Sequence, residues 1–224
     1  MHKKEGLKAV LNSQDALALL HEAEVLNPGP WVAHSLHVAE AARHIALRHP
    51  KLDSEKAFVF GCLHDIGRRN GISHMRHVVD GFQFLSRLGH KEEARICLSH
   101  SFPLKDVNAV FGRWDCAEEE RLIVADFLRN VQYDDYDRLI QLCDALALPE
   151  GFCLLEKRFI DVALRYGTND LTVPKWKAIF EIKADFERLL GCSVYSLLSG
   201  VVETTFDLPA PSKTGERFMR PACQ

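Results

Sequence analysis

The sequence predicts an all-α protein, a compact helical bundle, on three observations. Apolar residues recur at helical spacing along nearly all of the chain. Alternating β-type runs are scarce: Val201 to Phe206 is the only tempting one, and it is short. Breaks such as Asn27-Pro28-Gly29-Pro30, Pro50 and Gly67 separate periodic segments.

The elements follow in order. Ser13 to Glu24 carries a helical apolar repeat and opens on a capping residue, and Asn27-Pro28-Gly29-Pro30 breaks the chain after it. A strong helix is expected from Trp31 to about Arg48, before Pro50, and another from Ser54 to Ile66, stopping at Gly67. Further helical patterns cover His74 to Leu88, Lys91 to about Ser99, Ala117 to Val131 and Asp135 to Leu148. Leu154 to Tyr166 and Pro174 to Leu190 complete the series.

A chain of 224 residues that is 47% hydrophobic buries a sizeable core and reads most simply as one domain, with two small ones as the other division. The single domain would span 1–208, with a core at about 31–148 and additional helices at 154–200. The stretch from Pro209 to Gln224 reads as a loosely held tail. A net charge of -3 without a long Lys/Arg run argues against a nucleic-acid partner. The start lacks an apolar signal region and no segment reaches membrane-spanning length, so a cytoplasmic protein without a membrane partner is expected. The seven cysteines form no CxxC pair, and Cys62, Cys97 and Cys143 lie in apolar helical patterns, as reduced thiols do.

The chemistry is concentrated in Cys62-Leu63-His64-Asp65-Ile66-Gly67-Arg68, at the end of an apolar run. Adjacent His64 and Asp65 offer a nitrogen and an oxygen ligand suited to a hydrolytic metal. Partners stand on both sides: His34 upstream, and Asp144 downstream in Leu142-Cys143-Asp144-Ala145-Leu146. On its helix His34 shares a face with Val38, Ala41, Ala42 and Ile45, whereas His37 shares a polar stripe with Glu40, His44 and Arg48. His34 is therefore expected to point at the core and His37 at solvent. Asp144 sits among apolar residues, where a lone carboxylate needs a cation or strong donors. Singly, each has a blander reading: a hydrogen-bonded core histidine, a capping or arginine-paired aspartate.

An isolated His, then His-Asp, then a distant Asp resembles the HD-domain metal-dependent phosphohydrolases. That resemblance implies a metal site of His34, His64, Asp65 and Asp144. It adds His77, which with Gly81 matches the H-x-x-x-G helix start of the dinuclear branch, and His100, which ends the following helix. These two are either ligands of a second divalent ion or groups facing the substrate of a single ion; two ions are the preferred reading. The mixed nitrogen and oxygen set admits Fe, Mn, Zn, Ni or Co. Asp65 would be the catalytic bridge between the ions, and Arg68 would hold a phosphate and offset transition-state charge. Lys157 and Arg158 are weaker candidates for substrate binding, with a solvated helix face as the alternative.

The implied reaction is hydrolysis of a phosphoester or phosphoanhydride by metal-activated hydroxide, with a nucleotide or other small phosphorylated metabolite as the partner. The ligand pattern looks most like the bacterial HD hydrolases of symmetrical dinucleoside tetraphosphates, though the segment from His100 to Asp144 and the helices from Leu154 to Leu190 depart from their compact form. No GYP signature accompanies the motif, unlike the cyclic-di-GMP phosphodiesterases. Arg68 stands where 5′-deoxynucleotidases carry an acidic residue, and no basic stripe suits the DNA of CRISPR-associated HD nucleases. Two other functions stay open: a non-catalytic nucleotide-binding sensor or scaffold, and a di-iron HD oxygenase.

Overall fold

The computed structural model describes residues 11–209. Helices α1 (Ser13–Leu26), α2 (Pro30–Ala46), α3 (Ser54–Leu63), α4 (Arg76–Leu88) and α5 (Lys91–Ser99) are followed by α6 (Glu118–Asn130) and α7 (Asp135–Leu146). A two-stranded antiparallel hairpin, β1 (Ala147–Leu148) and β2 (Gly151–Phe152), leads to α8 (Leu155–Tyr166), α9 (Thr172–Leu190) and the short α10 (Val201–Phe206). The expected tail lies, apart from Pro209, outside the described residues. No helix among the described residues is long and apolar enough to cross a membrane, and the six cysteines there form no disulfide.

α2 is the hub. Val38, Ala41, Ala42 and Ile45 pack with Leu139, Leu142 and Leu146 of α7 and Ile179, Ile182 and Phe186 of α9. Its other flank, Val32 and Ala39, joins Ala16 and Leu20 of α1 and Phe58, Cys62 and Leu63 of α3. Each of the larger apolar side chains fully withdrawn from water stabilises the fold by about 1.5–3 kcal/mol. A third cluster unites Val78 and Val79 of α4 with Leu98, Phe102, Val124 and Leu128. The start of α2, the end of α3 and the start of α4 meet where these cores adjoin, and that junction is the site.

Element ends differ from the sequence expectation for identifiable reasons. The expected Ser54–Ile66 helix closes at Leu63; Asp65 leaves the helical region (φ -105°, ψ 13°) and Ile66–Asn70 continues as a 3-10 turn. α4 begins at Arg76 rather than His74 because Asp115 takes the backbone N–H groups of His74 and Arg76, at 2.7 and 2.8 Å. The Asp135–Leu148 helix stops at Leu146, where the chain turns through Pro149-Glu150 into the hairpin. Val201 to Phe206 is helical, since a single short alternation finds no strand to pair with and a helix satisfies its own backbone.

Candidate metal centre

Five parts of the chain deliver six side chains to one place: α2 brings His34, the turn after α3 brings His64 and Asp65, α4 brings His77, the end of α5 brings His100, and α7 brings Asp144. Two groups with metal-ligating geometry result, His34–His64–Asp65 and Asp65–His77–His100, all of them buried. Asp65 belongs to both. Its Oδ1 lies 3.1 Å from His77 Nε2 and 3.5 Å from His100 Nε2, and its Oδ2 lies 3.9 Å from His64 Nε2. Asp144 Oδ1 stands 3.0 Å from His34 Nε2 and 3.5 Å from Arg158 Nη2.

The backbone sets which nitrogen faces inward. His64 Nδ1 is 2.7 Å from Gly61 O, His100 Nδ1 is 3.2 Å from Ile96 O, and His77 Nδ1 bonds His74 O. A carbonyl only accepts, so these three rings carry their proton on Nδ1 and turn an Nε2 lone pair toward the site. His64 Nε2, His77 Nε2 and Asp65 Oδ1 are buried and have no hydrogen-bond partner. His77 Nε2 and Asp65 Oδ1 are thus two acceptors facing each other, a repulsive arrangement unless a proton or a cation lies between them.

Electrostatics favour the cation. Burial pushes the His64 pKa down to about 4 against the pull of Asp65, and burial followed by the Arg68 charge lowers that of His77. Both rings are neutral near neutral pH. For Asp65, burial works upward but is outweighed by Arg68, His77 and His64, which hold the carboxyl well below its usual range. For Asp144, burial is likewise outweighed, first by the His34 hydrogen bond and then by the Arg158 charge, which hold its carboxyl below the usual range. Two ionised carboxylates and neutral imidazoles with inward lone pairs form a donor set that fits a divalent metal.

Two glycines bring the motif segments together. A Cβ on Gly67 would meet His77 O at 2.0 Å and Gly81 N at 2.4 Å, so the 3-10 turn lies directly on the first turns of α4. A Cβ on Gly81 would meet Cys97 Sγ at 2.9 Å, which is how α4 lies close on α5. The spacing of His-Asp-x-Gly and His-x-x-x-Gly is therefore a packing device that seats His77 over Asp65.

The centre opens into a cavity of about 660 Å³ lined by His34, Asp65, Arg68, His77, His100 and Asp144 at one end. Arg68 donates Nε to Asp65 Oδ2 at 2.5 Å and Nη1 to Ser73 O at 3.3 Å. Of the two weaker candidates, Arg158 lines the cavity, while Lys157 lies outside its lining and pairs with Asp207 at 3.0 Å; consecutive residues on α8 point apart. His37 departs from its expected solvation: it is half-buried, with Nδ1 3.0 Å from Leu148 O and its ring edge-on to Phe152 at 5.4 Å. The hairpin that ends α7 supplies both contacts. Asp144 is also more open than its neighbours in sequence suggest, its side chain 27% exposed and facing the cavity.

Sequence reasoning missed the part of the cavity lining that α8 and α9 supply: Phe159, Tyr166, Lys175 and Trp176. A signal for Lys175 existed. It precedes Ile179, Ile182 and Phe186 at helical spacing, a cation on the buried face of α9.

Comparison with known proteins gives one result. The family model described as HD domain matches residues 31–148, slightly more than half of the chain. No curated protein and no solved structure matches it.

Proposed function

The chain belongs to the HD-domain family, and on that premise we propose that it is a metal-dependent phosphohydrolase acting on a nucleotide or another small phosphorylated metabolite. One observation carries the proposal: two histidine–carboxylate groups share Asp65 and turn unpartnered buried atoms toward a cavity large enough for such a ligand. His34, His64 and Asp65, with Asp144 beside His34, would hold one ion; Asp65, His77 and His100 would hold a second. Bound there, divalent ions supply water activation near neutral pH and charge neutralisation at a phosphoryl oxygen.

The chain's own groups do the rest. The carbonyls of Gly61, His74 and Ile96 keep the three imidazoles in the tautomer that presents Nε2. Asp65 and Asp144 are held ionised, which suits them to ligate a cation and not to donate a proton. Arg68, fixed through Nε and Nη1, keeps Nη2 without a protein acceptor among the described residues, a donor for a phosphoryl oxygen at the cavity wall.

The test joins elemental analysis of purified protein to a phosphate-release screen over nucleotides and small phosphate esters, with each candidate metal. Symmetrical dinucleoside tetraphosphates head the screen because of the order of the ligating residues. Phosphate or nucleotide release by wild type, lost in His64→Ala/Asp65→Ala, supports the reading. Nucleotide binding without turnover would point to a sensor instead, and substrate-dependent oxygen uptake without phosphate release to an oxygenase; either overturns it.

A further inference from the structure

The charge inventory of the cavity does not balance on the α9 side. Arg68 is paired with Asp65, Arg158 with Asp144 and Asp161, and Arg165 with Asp161. Lys175, the fourth cation of the lining, has no carboxylate within ion-pair distance among the described residues. Its Nζ donates to Ala109 O at 3.2 Å and stands 4.6 Å from the centre of the Phe111 ring, so at most one of its three N–H groups has a protein acceptor.

Three features of Lys175 are unfavourable to the empty fold. It closes the first turn of α9, where the helix dipole is positive and a cation is repelled. It stands over the Phe111 ring and shares its cavity lining with Phe159, Trp176 and Ile179, an apolar setting in which an ammonium forfeits hydration. That burial draws its pKa down to about 8, with Asp144 pulling the other way and Arg158 adding to the fall, so the group is still charged near neutral pH. A lysine with a free choice extends its ammonium into water; this one is kept inside. A single anion beside Nζ relieves all three penalties at once.

We propose that Lys175 is an anion anchor that selects substrates carrying a second phosphate, held at the α9 wall while the reacting phosphate sits at the histidine–aspartate centre. Lys175 lies beyond the segment matched by the family model, on α9, and lines the same cavity as the histidine–aspartate centre. The substrate class is therefore a bisphosphorylated or polyphosphorylated small molecule rather than a simple monoester. This half of the inference rests on the hydrolase reading; the anion site itself does not.

Two measurements keep those halves apart. In EDTA-treated protein, inorganic pyrophosphate is titrated while tryptophan emission is followed, Trp176 being adjacent to the anchor. Wild type and Lys175→Arg bind, and Lys175→Met binds at least about tenfold more weakly, the loss expected for one hydrogen bond to a charged group. Lys175→Met, freed of an uncompensated charge, unfolds at the same or higher urea concentration than wild type, so lost binding is not lost folding. Equal pyrophosphate affinity in Lys175→Met and wild type overturns the anchor, whatever the enzyme proves to do. In metal-loaded protein, kcat/KM is then compared for a nucleoside 3′,5′-bisphosphate and the matching 5′-monophosphate. The inference expects Lys175→Met to lose about tenfold on the bisphosphate, through KM, and little on the monophosphate. Equal losses on both overturn the substrate class. Absence of turnover in wild type removes the hydrolase reading and the substrate class with it, and leaves the pyrophosphate result to decide the anchor.

Discussion

Gly67→Ala is the sharpest test of how the motif is built. In a helical turn Ala is normally better than Gly, by about 0.5–1 kcal/mol. At Gly67 the added Cβ would stand 2.0 Å from His77 O and 2.4 Å from Gly81 N, while ordinary contact begins near 3.4 Å. The 3-10 turn and α4 would have to part by more than an ångström, and because both obstacles are backbone no rotamer change relieves them. Overpacking of a close interior contact costs about 1–3 kcal/mol, and a clash of backbone on backbone belongs at the upper end. A net loss of about 2 kcal/mol remains after the helical gain, which for a domain of this size lowers Tm by about 4–8 °C. The same separation carries His77 away from Asp65, and a misplacement of about 1 Å in such a centre lowers turnover by about a hundredfold. Urea denaturation followed by circular dichroism, together with metal content and phosphate release, reads each effect. Gly81→Ala is the milder comparison: its Cβ meets Cys97 Sγ at 2.9 Å and the Gly67 backbone N only at 3.2 Å, and a smaller loss of about 1 kcal/mol follows. Gly67→Ala protein with an unchanged or higher midpoint and full metal content would refute the packing argument.

Further predictions follow from the same geometry. His34→Ala is expected to weaken metal binding and cut hydrolysis by orders of magnitude. His37→Ala is expected to keep its metal but lose about 1 kcal/mol through the missing Leu148 O and Phe152 contacts; elemental analysis beside urea midpoints distinguishes them, and the reverse ranking sinks the assignment. His77→Ala or His100→Ala lowers the metal content by about one ion per chain if Asp65 bridges two ions; wild type that saturates at a single ion under every loading condition rules that out. Asp115, which accepts from His74 and Arg76 N–H, has its carboxyl held below the usual value, burial acting upward but being outweighed by those bonds. A depressed folded pKa lends stability above the unfolded value, about 3.9, that disappears as pH falls through the folded one. Asp115→Asn therefore costs about 1 kcal/mol at pH 7, and the gap to wild type narrows below about pH 4; a gap independent of pH contradicts the cap.

The sequence made the helices and the convergence of His34, His64, Asp65, His77, His100 and Asp144 legible for different reasons. Helical periodicity is a local property, repeated over ten or more residues, and it survives small errors at the ends. The six residues were legible from their order along the chain, and for His64, Asp65 and His77 also from glycines that record a close approach of the fold: Gly67 and Gly81 are where α4 comes to rest on the His-Asp turn. What was hidden depends on contacts between distant segments. The hairpin 147–152 is two residues per strand, too short to show alternation, yet it turns His37 from a surface group into a packed one. Lys157 and Arg158 are indistinguishable as neighbours on paper; only the position of Asp207 on one side and Asp144 on the other separates them.

That division bears on where specificity is written. The residues suited to holding a metal all fall within the family segment, recognisable by type and order, with Gly67 marking His64-Asp65 and Gly81 marking His77. Further cavity lining comes from α8 and α9, which follow that segment and carry no motif. A helix added to close a cavity must bury an apolar face on the existing core, as Ile179, Ile182 and Phe186 do, and any polar residue on that face at the cavity edge is then committed to the ligand. Lys175 occupies that position, one step before Ile179 on the buried stripe. A cation there has no reason to be retained for stability, because Met in its place would fill the same volume without the desolvation and dipole penalties. On the proposed reading the chemistry is written in the family segment and the choice of substrate in the helices beyond it, so exchanging α9 residues should change which phosphates are cleaved while leaving the metal content untouched.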